Sequence, residues 1–330
     1  MSGTTRIIVA RNTRTLDDYA VEDAPLPHPG PGQVRLRVRA CGVGYVDALH
    51  ASGRYQLAAT VPFTPGVEVA GEIEAIGPDV RGLSPGMRVM VLTSVQGGFA
   101  RHVLAPAAQL AEIPARMPFA EAAAIRANWL TAMHALMDRG CLAAGETVLV
   151  IGAAGGVGSA SVQAAKRLGA RVIAAASTQP KRDFALSLGA DVAIDTEPEG
   201  WRDRLGEACG GQGPDIIVDP GCGPLFEPAF RSIGWGGRHL VIGFVGGPIP
   251  ALKANLPLLK GAALIGVDVR QFNLKQPERA EANRQRLREW LSAGTVGAPV
   301  GATYPFERFR DALDYAASGI GLGKTVLLID

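Results

Sequence analysis

The chain has 330 residues, 47% hydrophobic and 19% charged, which supplies a substantial core and suggests about two domains. A formal net charge of +2, without a long basic run, argues against nucleic acid or an anionic membrane as partner. No apolar stretch of about 18 residues occurs, and Met1 to Asn12 has no signal-like apolar core, so a soluble, cytoplasmic protein is expected. Cys41, Cys141, Cys209 and Cys222 are scattered with no Cys-x-x-Cys spacing. They read as reduced thiols rather than a disulfide framework or a zinc site.

In chain order, residues 6–120 read as mostly β. Ile7–Val9 and Val34–Ala40 are predicted strands, the second with clear alternation, joined through the stiff connector Pro25–Gly32. Val69–Gly77 and Arg88–Val91 are further strands. Short strands separated by Gly and Pro indicate a small barrel or sandwich. Phe119–Asp138 follows as a helix, apolar on one side.

Thr147 to Gly158 is the most informative stretch. The apolar run Val148–Ile151 predicts a strand buried on both faces, and it ends in Gly152-Ala153-Ala154-Gly155-Gly156-Val157-Gly158. Val157, Ala160, Ala164 and Leu168 then recur at helical spacing, Gly169 stops the helix, and Val172–Ala176 is the next strand. This is one βαβ unit with a glycine turn. Its glycines let the backbone approach a pyrophosphate, and the helix start offers free N–H groups and a positive dipole end. The alternative is a tight strand–helix turn that binds nothing; the strand-before, helix-after context favours the nucleotide.

An NAD site ordinarily has Asp or Glu at the end of the second strand for the ribose hydroxyls. Here that strand ends Ala175-Ala176-Ser177-Thr178, followed by Lys181 and Arg182. A hydroxyl and a lysine suit the 2′-phosphate of NADPH, each charge-assisted contact contributing roughly 1.5–3 kcal/mol. The competing reading makes Lys181 and Arg182 solvated charges and Ser177 or Thr178 a helix cap.

Strands at Val192–Asp195, Asp215–Asp219, His239–Gly243 and Ala262–Val267, with a helix at Leu225–Ile233, predict a doubly wound parallel sheet over residues 121–267. Two helices, Pro277–Ala293 and Phe306–Ser318, and a strand at Thr325–Ile329 complete the chain.

Cys41–Asp47, Ser52–Tyr55, Pro62–Gly71, Gly86–Val89, Ala153–Gly158, Trp235–Arg238 and Gly323–Leu327 form a set of motifs along nearly the whole chain. Together they resemble the medium-chain dehydrogenase/reductase superfamily, and within it the zinc-independent, zeta-crystallin-like quinone oxidoreductases. The resemblance implies an α/β protein: a GroES-like β-barrel domain made of residues 1–120 and 268–330, with a Rossmann NADPH-binding domain, residues 121–267, inserted between. It also implies a homodimer paired through the last Rossmann strand, near Ala262–Val269.

The same comparison bears on metal. Zinc members carry Cys where this chain has Gly44, His where it has Val67, and a third ligand near Ala127; Gly, Val and Ala offer no donor, and a catalytic zinc needs three. The cysteine-rich structural zinc lobe is missing as well. Hydride transfer to a conjugated carbonyl needs no Lewis acid, so the expected activity is NADPH-dependent reduction of quinones or other α,β-unsaturated carbonyls. A 2-enoyl thioester reductase and an NADPH-binding structural protein with little turnover are the alternatives.

By resemblance, Ala154, Gly155, Gly156, Val157 and Gly158 hold the pyrophosphate, Ser177 and Lys181 the 2′-phosphate, and Gly243 and Phe244 the nicotinamide half. Thr131 and Tyr55 match family residues beside cofactor or substrate, and Asn128 is a second polar candidate. Many zinc-free relatives have Asn at position 44. The pair here is Gly44-Tyr45, which makes the Tyr45 phenol a candidate donor in its place. Glu68 and Asp47 are expected to bind backbone N–H groups, and His50 and His102 to be ordinary polar residues.

Overall fold

The computed structural model describes residues 3–13, 15–51, 53, 60–93 and 97–330. The chain divides into two compact units, Met1–Ala127 with Gly297–Asp330, and Asn128–Val296.

In chain order the first unit begins with strands β1 (Thr4–Ala10), β2 (Tyr19–Pro25) and β3 (Gln33–Val43), then helix α1 (Tyr45–Ala51). Strands β4 (Glu68–Ile76), β5 (Arg88–Leu92), β6 (His102–Pro106) and β7 (Ala111–Glu112) lead to α2 (Phe119–Met133). The predicted alternation of β3 holds. Val34, Leu36 and Val38 are buried, while Arg35 and Arg39 turn outward to Glu74 at 2.7 Å and Glu72 at 2.9 Å.

The division between units falls inside α2. This helix is buried on nearly every side: Ala122 to Ile125, Trp129, Leu130, Ala132 and Met133 have almost no exposure. Its apolar residues therefore form no single stripe, contrary to the sequence expectation. The predicted helix also changes winding at His134, continuing as a π-turn over His134–Arg139.

The second unit alternates strands and helices: β8 (Thr147–Ile151), α3 (Gly156–Arg167), β9 (Arg171–Ala175), α4 (Gln179–Ser187), β10 (Val192–Ile194), α5 (Trp201–Ala208) and β11 (Ile216–Asp219). It continues with α6 (Phe226–Ser232), β12 (Arg238–Val241), α7 (Asn255–Lys260), β13 (Ala263–Gly266), α8 (Val269–Lys275) and α9 (Pro277–Ser292). Its six strands pair in parallel in the order β10-β9-β8-β11-β12-β13. The order reverses between β8 and β11, and ligands of such sheets bind outside the carboxyl ends at that switch.

Strands β14 (Val300–Pro305) and β15 (Lys324–Leu328), with α10 (Phe309–Ser318) between them, return to the first unit. β15 pairs antiparallel with β3, Leu327 opposite Cys41, and extends a sheet of order β14-β15-β3-β4-β5-β7. One edge of β3 is thus shared: residues 33–37 pair with β6 and residues 40–43 with β15.

The family resemblance places residues 268–296 in the first domain; in the structure these residues group with the second unit. A polar cluster holds them there. Asp138 accepts from Asn283 Nδ2 and Arg279 Nη2, both at 2.7 Å, and lies 3.2 Å from His134 Nδ1. Trp290 meets Trp129 edge-on at 6.0 Å. Burial works against the Asp138 carboxylate, but the hydrogen bonds from His134 and Asn283 and the nearby Arg279 outweigh it and hold the group below the usual carboxylate range. Its contribution to stability is complete above the unfolded carboxyl's pKa of about 4 and is lost as pH falls through the lower folded value. Asp138→Asn is expected to lower the neutral-pH melting temperature by several degrees and to flatten its fall between about pH 5 and pH 3, read by thermal melts across that range.

Candidate active site

The glycine turn follows β8 directly. Gly152 has φ +64°, a left-handed conformation natural to glycine, and Gly155 N–H donates back to Gly152 O at 3.0 Å. A Cβ on Gly158 would stand 2.1 Å from Gly152 O, and one on Gly156 would stand 2.7–3.0 Å from the Asn128 carboxamide. Gly158 therefore requires glycine for α3 to start this close to β8, whereas at Gly156 the obstacle is the Asn128 side chain. Ala153 and Ala154 point into the core, so Ala154 has only its backbone to offer a ligand. Gly155 is exposed, and Gly156 and Val157 are half-buried. The N-cap Gly155 has no side chain to satisfy the first-turn N–H groups, which leaves them and the positive end of α3 available to an anion.

Beside this turn Ser177 follows β9, exposed, and α4 carries Lys181 in its first turn, half-buried. Thr178 is the N-cap of α4 but makes no side-chain cap bond, so the capping reading does not account for its hydroxyl. Arg182 is used locally. It donates to Ala176 O at 3.1 Å and to Gln179 Oε1 at 3.0 Å, which ties the start of α4 to the end of β9.

Gly243, half-buried, and Phe244, 42% exposed, lie in the loop after β12. That loop is laced to the one after β11. Gly246 N–H donates to Gly221 O at 2.8 Å, and a Cβ on Gly223 would come within 2.8 Å of Gly246 O. The lacing starts from a pair of buried side chains not singled out from the sequence. Asp219 Oδ1 accepts from Gly221 and Cys222 N–H at 3.0 and 2.7 Å, and its Oδ2 lies 3.1 Å from His239 Nε2. The His239 ring is flanked by Phe226 and Phe230. Burial, then the Asp219 carboxylate, pushes the Cys222 thiol up to about 12, so it is no nucleophile at neutral pH. Only the pairing of an acid ending β11 with a histidine opening β12 hinted at this arrangement.

Of the candidate catalytic residues, Asn128 is buried against Gly156 of the turn, and Thr131 is half-buried one turn further along α2. Tyr45 is half-buried as the first residue of α1, in the first unit. Tyr55 lies outside the described residues. Asp47 and Glu68, both buried, bind backbone as expected. Asp47 accepts from Gly44 N–H at 2.8 Å and Gly66 N–H at 3.2 Å, and Glu68 Oε1 from Ala127 N–H at 3.0 Å. Burial pushes both carboxyls above the usual range, against the opposing pull of Lys324 and the backbone N–H groups.

A GroES-like sheet completed by the C-terminal strand, joined to a doubly wound sheet with a glycine-lined phosphate turn, defines an oxidoreductase of the medium-chain type. Known proteins agree. Residues 30–115 match the family model for the alcohol dehydrogenase GroES-like domain, and residues 156–285 the model for zinc-binding dehydrogenases. The quinone oxidoreductase of Sus scrofa is 30% identical over 308 residues, 93% of this chain and 92% of that protein. A solved probable oxidoreductase from Mycobacterium abscessus superposes with TM-score 0.88 at 36% identity, over 99% of this chain and 100% of that one. A mycobacterial protein solved with NADPH superposes with TM-score 0.88 at 29% identity, over 98% and 99%. The chain belongs to the quinone oxidoreductase-like family of the medium-chain dehydrogenase/reductase superfamily, and a nicotinamide cofactor comes with that membership.

The glycine turn fits a dinucleotide: a tight strand–helix turn at a helix start whose first N–H groups have no side-chain cap. The description of the second family model names zinc, and the residue types at three positions bear on it. Gly44, Val67 and Ala127 bring no side-chain donor, and among the described residues no three His, Cys, Asp or Glu side chains gather. Gly158→Ala is expected to cost about 3 kcal/mol or more of stability, because the new methyl meets a backbone oxygen that cannot rotate away. Denaturant titration checks this, and wild-type stability would contradict the close approach.

Proposed function

We propose that the protein reduces quinones or other α,β-unsaturated carbonyls with NADPH and without a catalytic zinc. A single observation supports the choice of acceptor. By the family resemblance, zinc relatives carry ligands at the positions of Gly44 and Val67 and near Ala127, and these residues offer no donor, so an acceptor that needs no Lewis acid suits this site. Bound NADPH supplies the hydride. The chain's part is to hold and orient. The backbone of Ala154 and Gly155 and the N–H groups of Gly156 to Gly158 take the pyrophosphate; Ser177 and Lys181, with no acid after β9, take the 2′-phosphate. The laced loop at Gly243 and Phe244 supports the nicotinamide half. Asn128, Thr131, Tyr45 and Tyr55 are the proposed polar contacts near cofactor and acceptor. Among the described residues no helix is long and apolar enough to cross a membrane. The proposed setting is the cytoplasm, where the four free cysteines stay reduced.

NADPH consumption with 1,4-benzoquinone, 9,10-phenanthrenequinone, a short enone and crotonyl-CoA, run beside NADH and a chelator, tests this reading. Turnover that prefers NADPH and survives the chelator is expected, with a quinone or enone the best acceptor. Lys181→Glu should raise KM for NADPH at least about tenfold and leave NADH use unchanged. Tight NADPH binding without turnover would favour the binding-protein alternative, and crotonyl-CoA as best acceptor the enoyl thioester reductase.

We also propose a homodimer paired through β13. This strand ends the parallel sheet, its residues are mostly exposed, and Leu264 is 43% exposed. Trp235, which covers Gly261, and Leu258 and Leu259 of α7 expose more apolar surface from neighbouring segments. An apolar edge strand with unpaired backbone groups suits antiparallel pairing with its own copy. Sedimentation should give a dimer for the wild type and a monomer for Leu264→Lys; a wild-type monomer would rule the pairing out.

A further inference from the structure

The first unit contains a buried charge cluster that the reading above leaves unused. Lys324 opens β15, Glu68 opens β4, and Asp47 lies in α1. Both carboxylates are buried, and the Lys324 side chain is 11% exposed. The oxygens of Asp47 are taken by the N–H groups of Gly44 and Gly66, and Oε1 of Glu68 by that of Ala127. Glu68 Oε2 makes no hydrogen bond and faces the ammonium at 3.5 Å.

Two glycines lie against this lysine, although at Gly42 the nearest obstacle to a side chain is Ala123 O, 2.2 Å from the would-be Cβ. A Cβ on Gly42 would lie 3.0 Å from Lys324 Cε, and one on Gly44 would lie 3.3 Å from Nζ and 3.4 Å from Asp47 Oδ2. A cysteine Cβ holds its zinc at roughly the same separation, about 3.3 Å, given a Zn–S bond of about 2.3 Å. The ammonium thus stands off Gly44 at the distance a cysteine-bound metal would. An ammonium has three donors, and this one forms an ion pair with Glu68 at 3.5 Å.

We infer that Lys324 is a catalytic residue whose ammonium, backed by Glu68 and Asp47, holds the oxygen of the acceptor as negative charge develops on it. The inference rests on the proposed reduction of a conjugated carbonyl. When the acceptor receives a hydride at carbon, the electron pair of the alkene shifts toward the carbonyl carbon and the carbonyl π pair moves onto oxygen. Lys324 donates an N–H hydrogen bond to that oxygen and keeps its proton. Water supplies the proton that completes the reduction. A fixed cation where charge appears stabilises the transition state more than the ground state.

The test uses the full-length protein and begins without cofactor. 4-Nitrophenol mimics the oxyanion, and its phenolate absorbs visible light. Wild type is expected to bind it and lower its apparent pKa by about one unit or more. Lys324→Met should abolish that shift, and Lys324→Arg should retain part of it. Because Lys324→Met leaves Glu68 buried opposite no cation, the double variant Glu68→Gln, Lys324→Met serves as the folded control and should also lose the shift. In steady state Lys324→Met should lower kcat for the best acceptor by about 10²-fold or more with KM for NADPH unchanged. No phenolate binding by wild type, or equal pKa shifts in wild type and both Met-bearing variants, would overturn the inference. A shift that depends on Lys324 in a protein that turns over no acceptor would support the oxyanion site and refute the proposed reduction, so the two failures are distinguishable.

Discussion

A backbone oxygen, that of Gly152, lies where any side chain at Gly158 would have to go, 2.1 Å from the would-be Cβ. Much of the second unit follows from this close approach. It lets α3 rise immediately from the end of β8, so that its first N–H groups open beside the end of β9. It also brings the Asn128 carboxamide against Gly156, which ties the last turns of α2 to the same edge. The capacity to hold a phosphate is thus a property of the backbone. In the proposed function, selectivity among nucleotides falls to side chains after β9, where Ser177 and Lys181 stand and no acid does.

Buried carboxylates do comparable work elsewhere. Asp47 ties Gly44 to Gly66, Glu68 reaches Ala127 at the end of the first unit, and Asp219 fastens the loop after β11 while pairing with His239. Burying a charge is costly unless hydrogen bonds or counter-charges satisfy it. Each of these groups has two or more such partners, so each clamps segments distant in sequence. In the first unit Lys324 joins this arrangement through its ion pair with Glu68.

Much of this was legible in the sequence. The alternation in β3 survives because its arginines have surface acids opposite them. The βαβ unit survives because strand, glycine turn and helix are contiguous, so local sterics decide it. Other features were lost for identifiable reasons. α1 and α8 are single-turn or two-turn helices too short to show a period, and β2 and β14 lack a strong apolar pattern. The assignment of 268–296 depends on Asp138 meeting Arg279 and Asn283, side chains some 140 residues apart, and no local signal carries such a contact. The all-round burial of α2 likewise depends on what packs against it.

By itself the sequence determined the βαβ nucleotide unit, the absence of metal donors at positions 44, 67 and 127, and the missing acid after β9, because each is a matter of residue type at a contiguous or aligned position. Tertiary structure alone decided which buried charges meet. Lys324 is a polar residue beside a C-terminal strand until β15 pairs with β3 and carries it over Gly42 and Gly44 to Glu68. Asp219 and His239 become a clamp when β11 and β12 lie side by side. Such pairings join residues far apart in the chain through space that only the folded backbone defines.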